Sequence, residues 1–324
     1  MAVKSNFSND DFVSILSNYD LGDFEAAQPL TNGTVQTNFL LQTGSGKYVF
    51  RYYENRPLGS VLFESNLINY LTAKRYPCPA AFSNRDGEFV GLFAEKPYII
   101  FEYVDGEHLE TLSDDQKSQL IHHVAELHNI TQTYEPSYQE HRWNYDVDLC
   151  RTLAQEAAAK QASRNARYKL AWFEAELSAL DLPDTLPKGI CHCDFHPSNV
   201  LFQNGVFKAL LDFDDANYTF LSFDLASLMN PFVPGFDWNS WFHFRPDENV
   251  FDFTEAKSVA QAYMRHRPLT ADEKTHLFDM FKLTVMFDCV WYFARGAAHD
   301  FFEKRKIDYL NQLGRSRFYH EIFD

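Results

Sequence analysis

Basic residues are in short supply: 29 Lys and Arg stand against 45 Asp and Glu, a formal net charge of −16. That balance argues against nucleic acid or an anionic membrane surface as the main partner, and it suits a cationic or zwitterionic small molecule. Cysteine is scarce too. The five thiols, at 78, 150, 191, 193 and 289, are odd in number and irregularly spaced. This excludes a disulfide framework and leaves reduced, buried thiols in a cytoplasmic protein. Long hydrophobic runs are missing. The most apolar segments, such as Val285 to Ala294, are short and include Asp288, so no membrane span is expected. The opening MAVKSNFSNDDF has no apolar core of the secretory kind, so no export signal is expected. Glycine is sparse as well. Only Gly33 falls in the first turn of the β-like opening, too little for a phosphate-cradling loop by itself. Repeats and low-complexity tracts are absent.

What is present is a chain of 324 residues, 45% hydrophobic and 23% charged, enough to bury a substantial globular core. Residues 8 to 19 predict a short helix capped by Ser8 or Asn9, with Phe12, Ile15 and Leu16 on its apolar face. β-like segments follow around Phe39 to Leu41 and Tyr48 to Tyr52, punctuated by Asn32-Gly33 and a Gly-Ser-Gly turn. Arg51 lies inside the second of these, an otherwise apolar-aromatic strand. From Leu58 to Ala73 the stripe Val61, Glu64, Ile68, Leu71 has helical spacing and puts Glu64 on the apolar face. A buried cation and a buried carboxylate call for each other, so Arg51 and Glu64 are expected to pair, either to position phosphate or as a structural ion pair. Strands at Glu88 to Ala94 and Pro97 to Val104 end at Asp105-Gly106. Beyond them the pattern is helical: a Ser-Asp-Asp-Gln capping box at 113 opens a helix to about 130. Further helices are expected at about 146–162, 164–180, 252–266, 271–296 and 299–313. The fold class is α+β. A β-rich lobe, 1–104, and a mostly helical lobe, 105–324, are joined by a short hinge, with the site expected between them.

The stretch from Gly189 to Ala226 organises the rest. It carries His192, Asp194 and Asn199 in the spacing H-x-D-x-x-x-x-N. Two apolar segments follow, separated by Asn204-Gly205, and the second ends on Asp212. The Asn-Gly pair predicts a hairpin that returns Asp212 beside Asn199. One carboxylate to accept the proton of an attacking hydroxyl, with hard oxygen donors for Mg²⁺, is what phosphoryl transfer requires. Asp194 is the candidate base, His192 its loop brace, and Asn199 with Asp212 the candidate metal ligands. A zinc site on Cys191, His192, Cys193 and His196 is the rival. Neighbouring residues of an extended segment point to opposite faces, and no second Cys or His pair stands nearby at finger spacing.

These motifs resemble the catalytic and metal-binding loops of the aminoglycoside phosphotransferase-like kinases, which have a protein-kinase-like two-lobed fold. The resemblance implies ATP and Mg²⁺ as cofactors. It also implies that Arg51 takes the place of a phosphate-binding Lys paired to Glu64, and that the backbone from Glu102 to Val104 meets adenine. Asp224, in FDLA, is implied to be structural and to brace the catalytic loop. The segments NYDLG (18–22), GTVQTNFLL (33–41) and GKYVFRYYENR (46–56) are similar to type II homoserine kinases.

The acceptor implied is a small amino-alcohol, most simply homoserine. Asp214 and Asp215, expected at the cleft mouth or in solvent, would hold its ammonium, and Arg142 or Arg245 its carboxylate. Alternatively Trp143, Tyr145, Trp238, Trp241, Phe242, Phe244 and Trp291 would box a quaternary ammonium, as in a choline or ethanolamine kinase, unless they are packing residues. An aminoglycoside kinase and a nucleotide-binding pseudokinase complete the alternatives. A monomer or homodimer is expected.

Overall fold

The computed structural model describes residues 5–30, 35–195, 197–230, 253–301 and 303–324. The Asn32-Gly33 turn, His196, Arg245 and the aromatics of 238–244 lie outside the described residues.

In chain order the first elements are α1 (Asn9–Leu16), β1 (Phe24–Leu30), β2 (Thr37–Thr43), β3 (Gly46–Tyr52), α2 (Leu58–Ala73), β4 (Gly91–Phe93) and β5 (Lys96–Glu102). Next come α3 (Asp114–Ile130), α4 (Val147–Gln161), α5 (Arg164–Ser178), β6 (Lys188–Cys191), β7 (Val200–Gln203), β8 (Val206–Leu210) and β9 (Asn217–Phe220). The chain ends with α6 (Ser222–Met229), α7 (Phe253–Met264), α8 (Ala271–Trp291) and α9 (Lys304–Phe323). Compactness divides it into two units. The first comprises Met1–Glu110, Thr133–Arg142 and His196–Ala216; the second comprises Thr111–Gln132, Trp143–Phe195 and Asn217–Asp324.

The first unit is built on an antiparallel sheet of order β1-β2-β3-β5-β4. Pro29 is tolerated because β1 is an edge strand with one side free of ladder bonds. α1 is capped by Ser8, which accepts from the Asp11 amide, and it lays Phe12, Ile15 and Leu16 on Phe39, Leu41, Phe50 and Ile100. Each such buried side chain contributes roughly 1.5–3 kcal/mol of apolar transfer. Tyr98 to Phe101 of β5 are buried in an unbroken row, so both faces of this strand are covered. Tyr98 and Ile100 face α1, while α2 packs against β5 and covers the other side. Arg51 is paired across the ladder with Ile99, which puts it on the face that meets α2. β7 and β8 form a hairpin whose turn residues Asn204 and Gly205 both have positive φ, 54° and 79°. This is the turn that Asn-Gly favours.

In the second unit α8 is buried nearly all round, as its lack of an amphipathic pattern implies, and α4, α6 and α9 pack against it. The capping box at Ser113 and Gln116 opens α3 as expected. The last helix departs from expectation. Gly314 (φ 76°) breaks it where 299–313 should end, but the chain resumes a helical path to Phe323. No helix among the described residues is long and apolar enough to cross a membrane.

Candidate active site

The candidate catalytic loop of the second unit grows from β6, which pairs with β9 from Lys188↔Phe220 to Cys191↔Asn217. Just past β6, His192 is fully buried and its ring stacks on Phe195 at 5.2 Å. The Asp194 amide donates to His192 Nδ1 (3.3 Å), so the histidine holds the backbone of the proposed base. Asp224, in the first turn of α6 and fully buried, is the anchor. Its carboxylate accepts from the amides of His192 (2.8 Å) and Cys193 (3.0 Å) and from His128 Nε2 (3.0 Å). The other ring nitrogen of His128 meets the Tyr263 hydroxyl at 2.5 Å. Burial opposes charge on His128, but Tyr263 and Asp224 outweigh it and hold the ring protonated well above the usual histidine range. Cys193 sits at φ 65°, a left-handed conformation that costs a residue with a Cβ about 1–2 kcal/mol. Three charge-assisted bonds to Asp224 are enough to impose it. The zinc alternative gains no support among the described residues. Among the described residues Cys191 groups with His128 and Asp224, which already bond one another.

The first unit holds the other set. The hairpin places Asn199 and Asp212 side by side: the Leu211 amide donates to the Asn199 carbonyl at 2.8 Å. Asp212 is also left-handed (φ 62°), which turns its carboxylate out of the strand and lets it cap the short helical turn Phe213–Asp215. Arg51 Nη2 donates to Asp212 Oδ1 at 2.6 Å. Here the expected pairing is corrected. Among the described residues Arg51 makes its ion pair with Asp212, not with Glu64. The long guanidinium reaches past α2 to the end of the hairpin. Glu64 is 1% exposed and its Oε2 has no hydrogen-bond partner; neither have Arg51 Nε and the Tyr53 hydroxyl. Burial pushes Glu64 up to about 7, with the Arg51 charge pulling against it.

Asp214 is a second correction. It is buried, not facing solvent: Arg56 donates to both its oxygens (2.8 and 3.0 Å) and Gln36 to one (2.9 Å). Burial raises its pKa, but Arg51 and Arg56 together hold it below the usual carboxylate range. Buried and paired with Arg56, this carboxylate is not open to an acceptor's ammonium. Asp215, bonded to Arg56 Nη2 at 3.1 Å, keeps a side chain 31% exposed. Arg142 is likewise internal. Its guanidinium donates to the carbonyls of Ala216 (3.0 Å) and Asp214 (2.6 Å) and to the Ser60 hydroxyl (2.7 Å), so it has no role for a substrate carboxylate. Glu102 ends β5 with its amide donating to the Ala80 carbonyl (2.8 Å), and Val104 follows in irregular, half-buried chain. Of the box-forming aromatics, Tyr145 is buried against Phe223 and Phe287, while Trp291 is 56% exposed on α8.

Asn199 and Asp212 fit magnesium by donor chemistry, offering one amide and one carboxylate, both hard oxygen ligands. With Asp212 Oδ1 held by Arg51, Oδ2 is the oxygen left for an ion.

Residues 26–269 match the model of the phosphotransferase enzyme family, APH. The chain belongs to that family. It is a phosphotransferase, a small-molecule kinase. A homoserine kinase of Rhodospirillum rubrum is 32% identical over 314 residues, covering 96% of this chain and 89% of that protein. One of Afipia carboxidovorans is 30% identical over 315 residues, with 96% and 88% covered. A spectinomycin phosphotransferase solved with ADP and spectinomycin shares the fold at TM-score 0.60 and 14% identity, over 99% of this chain and 96% of its own. A microcompartment-associated aminopropanol kinase does so at TM-score 0.57 and 16% identity, over 96% and 94%. The fold of this phosphotransferase is the protein-kinase-like one. Sequence reasoning gave no role to four of its polar residues: buried Gln36, His128 and Tyr263, and half-buried Arg56. Gln36 and Arg56 showed only as members of the segments GTVQTNFLL and GKYVFRYYENR.

Proposed function

We propose that this kinase transfers the γ-phosphoryl group of ATP to the hydroxyl of homoserine. The observation that carries the reading is the hairpin that sets Asn199 beside Asp212, with Arg51 held on the same carboxylate. The homoserine kinases that match nearly the whole chain support the acceptor. In this reading residues 1–104 bind nucleotide and residues 105–324 supply catalysis and the acceptor site. Asp194 orients the acceptor hydroxyl and takes its proton, with His192 and Asp224 fixing the loop that carries it. Arg51 grips phosphate while Glu64 lies behind it, and the backbone from Glu102 to Val104 meets the adenine edge. Mg²⁺ on Asn199 and Asp212 neutralises phosphate charge as it develops. Asp215 is the carboxylate proposed for the substrate ammonium; Asp214 is not.

The test is ADP release with MgATP against homoserine, choline, ethanolamine, hydroxylysine and an aminoglycoside. Turnover with homoserine well above the rest is expected. Turnover with another acceptor alone would replace the substrate and keep the kinase. ATP binding without turnover on any of them would point to a pseudokinase.

A further inference from the structure

Away from the phosphotransfer residues, α3 and the chain just beyond α7 bring imidazoles together on the second unit. His122 on α3 and His266, two residues past α7, approach with Nδ1 to Nδ1 at 3.2 Å and ring centroids 4.4 Å apart. His123, the next residue of α3, has its Nδ1 2.9 Å from Oε2 of Glu126, one turn on. Ligand atoms of His122, His123 and Glu126 all lie within 4.8 Å of one another. Two neutral rings can meet nitrogen to nitrogen only if one donates its proton to the other, a single weak bond at a partly exposed site.

The separation matches another arrangement. Two nitrogens bound to one tetrahedral zinc at about 2.0–2.1 Å stand about 3.3 Å apart. We propose that His122, His123 and Glu126, whose ligand atoms already lie together, form a binding site for a divalent transition metal of the zinc class, with His266, which meets His122, as the donor that closes on the ion. The donor set, three imidazoles and one carboxylate, selects zinc, nickel or copper over magnesium or calcium.

Other features prepare the site. His266 is held at both backbone ends: its amide donates to the Tyr263 carbonyl (3.0 Å), and its carbonyl accepts from Asn129 Nδ2 of α3 (3.0 Å). The pair is therefore fixed by α3 and α7 and not by the side chains alone. A bound ion would join α3 to α7 directly and stabilise the second unit.

Equilibrium dialysis and thermal unfolding of tag-free protein with Zn²⁺ or Co²⁺, in millimolar MgCl₂, test the site. Wild-type protein is expected to bind one ion per chain at micromolar concentration. Its Tm should rise by about 5 °C at a hundredfold excess over Kd. Bound Co²⁺ should show tetrahedral visible absorption. The double variant His122→Ala/His266→Ala, and His266→Asn alone, should lose about tenfold or more in metal affinity. Both should keep the MgATP-induced Tm shift, which shows they are folded. Equal uptake by wild type and folded variants would place the ion elsewhere and overturn the proposal. So would the absence of stoichiometric uptake below millimolar metal.

Discussion

Arg56 bonds both oxygens of Asp214 and one of Asp215, and Asp214 is 8% exposed at its side chain. Removing one partner of a buried pair leaves an uncompensated charge, usually at about 3–5 kcal/mol. Gln36 and Arg51 remain near Asp214, so Arg56→Ala should destabilise the chain by about 3 kcal/mol, at the lower end. Urea unfolding at neutral pH checks it, and a loss below about 1 kcal/mol would contradict the assignment. Placement was legible in the sequence where a turn carries it: the Asn204-Gly205 hairpin sets Asn199 beside Asp212. Burial was not. The run DFDDAN reads as exposed acid, and the partners that bury Asp214 lie 158 and 178 residues away. The same distance hid the choice of Arg51 between Glu64, on the next helix, and Asp212, 161 residues on.

At the scale of elements, the segment after β5 runs against the hairpin that carries Asn199 and Asp212. Glu107 exchanges two backbone bonds with Phe202, at 2.8 and 3.0 Å, and His108 Nδ1 meets the Val200 carbonyl at 3.2 Å. Gly106 permits this approach, since a Cβ there would stand 3.0 Å from the Phe202 carbonyl oxygen and 3.1 Å from Leu201 Cβ. Gly106→Ala should therefore push the hairpin aside, lowering stability by about 1–3 kcal/mol and weakening MgATP binding. Denaturant titration alongside an ATP-dependent thermal shift would show it; unchanged values in both would mean that the hairpin does not depend on this contact. Local chemistry made the elements readable: Asn204-Gly205 announced the hairpin, and Ser113 with Gln116 announced α3. The resumed turn of α9 was not readable. Gly314 marks a break in any sequence, and only packing of Phe318 and Ile322, both buried, draws the chain back into a helix.

Across the whole molecule, two buried acids contribute to how stability responds to pH. Glu64 titrates ordinarily at 4.5 and is pushed to about 7, chiefly by burial. Asp288 moves from 3.8 to about 7 for the same reason, with Glu303 adding to the shift. Between their unfolded and folded values the folded chain holds more protons than the unfolded one. Stability is therefore highest below about 4, falls as pH rises toward about 7, and stays lower above it as far as these two groups decide. Glu64→Gln should shrink the drop in Tm between about pH 5 and about pH 8, and Asp288 should keep part of it. A drop as large as in wild type would show that Glu64 is not carried protonated in the fold.

The central claim is that Asp194 acts as base toward the hydroxyl of homoserine. Its most direct test is single-turnover transfer from γ-labelled ATP to homoserine by wild type and Asp194→Asn, with MgATP binding measured on both. The account predicts labelled O-phosphohomoserine from wild type, a rate lower by about 10²–10⁴ in the variant, and unchanged nucleotide affinity. Full-rate transfer by Asp194→Asn, or no labelled product from a wild-type protein that binds MgATP, would contradict it.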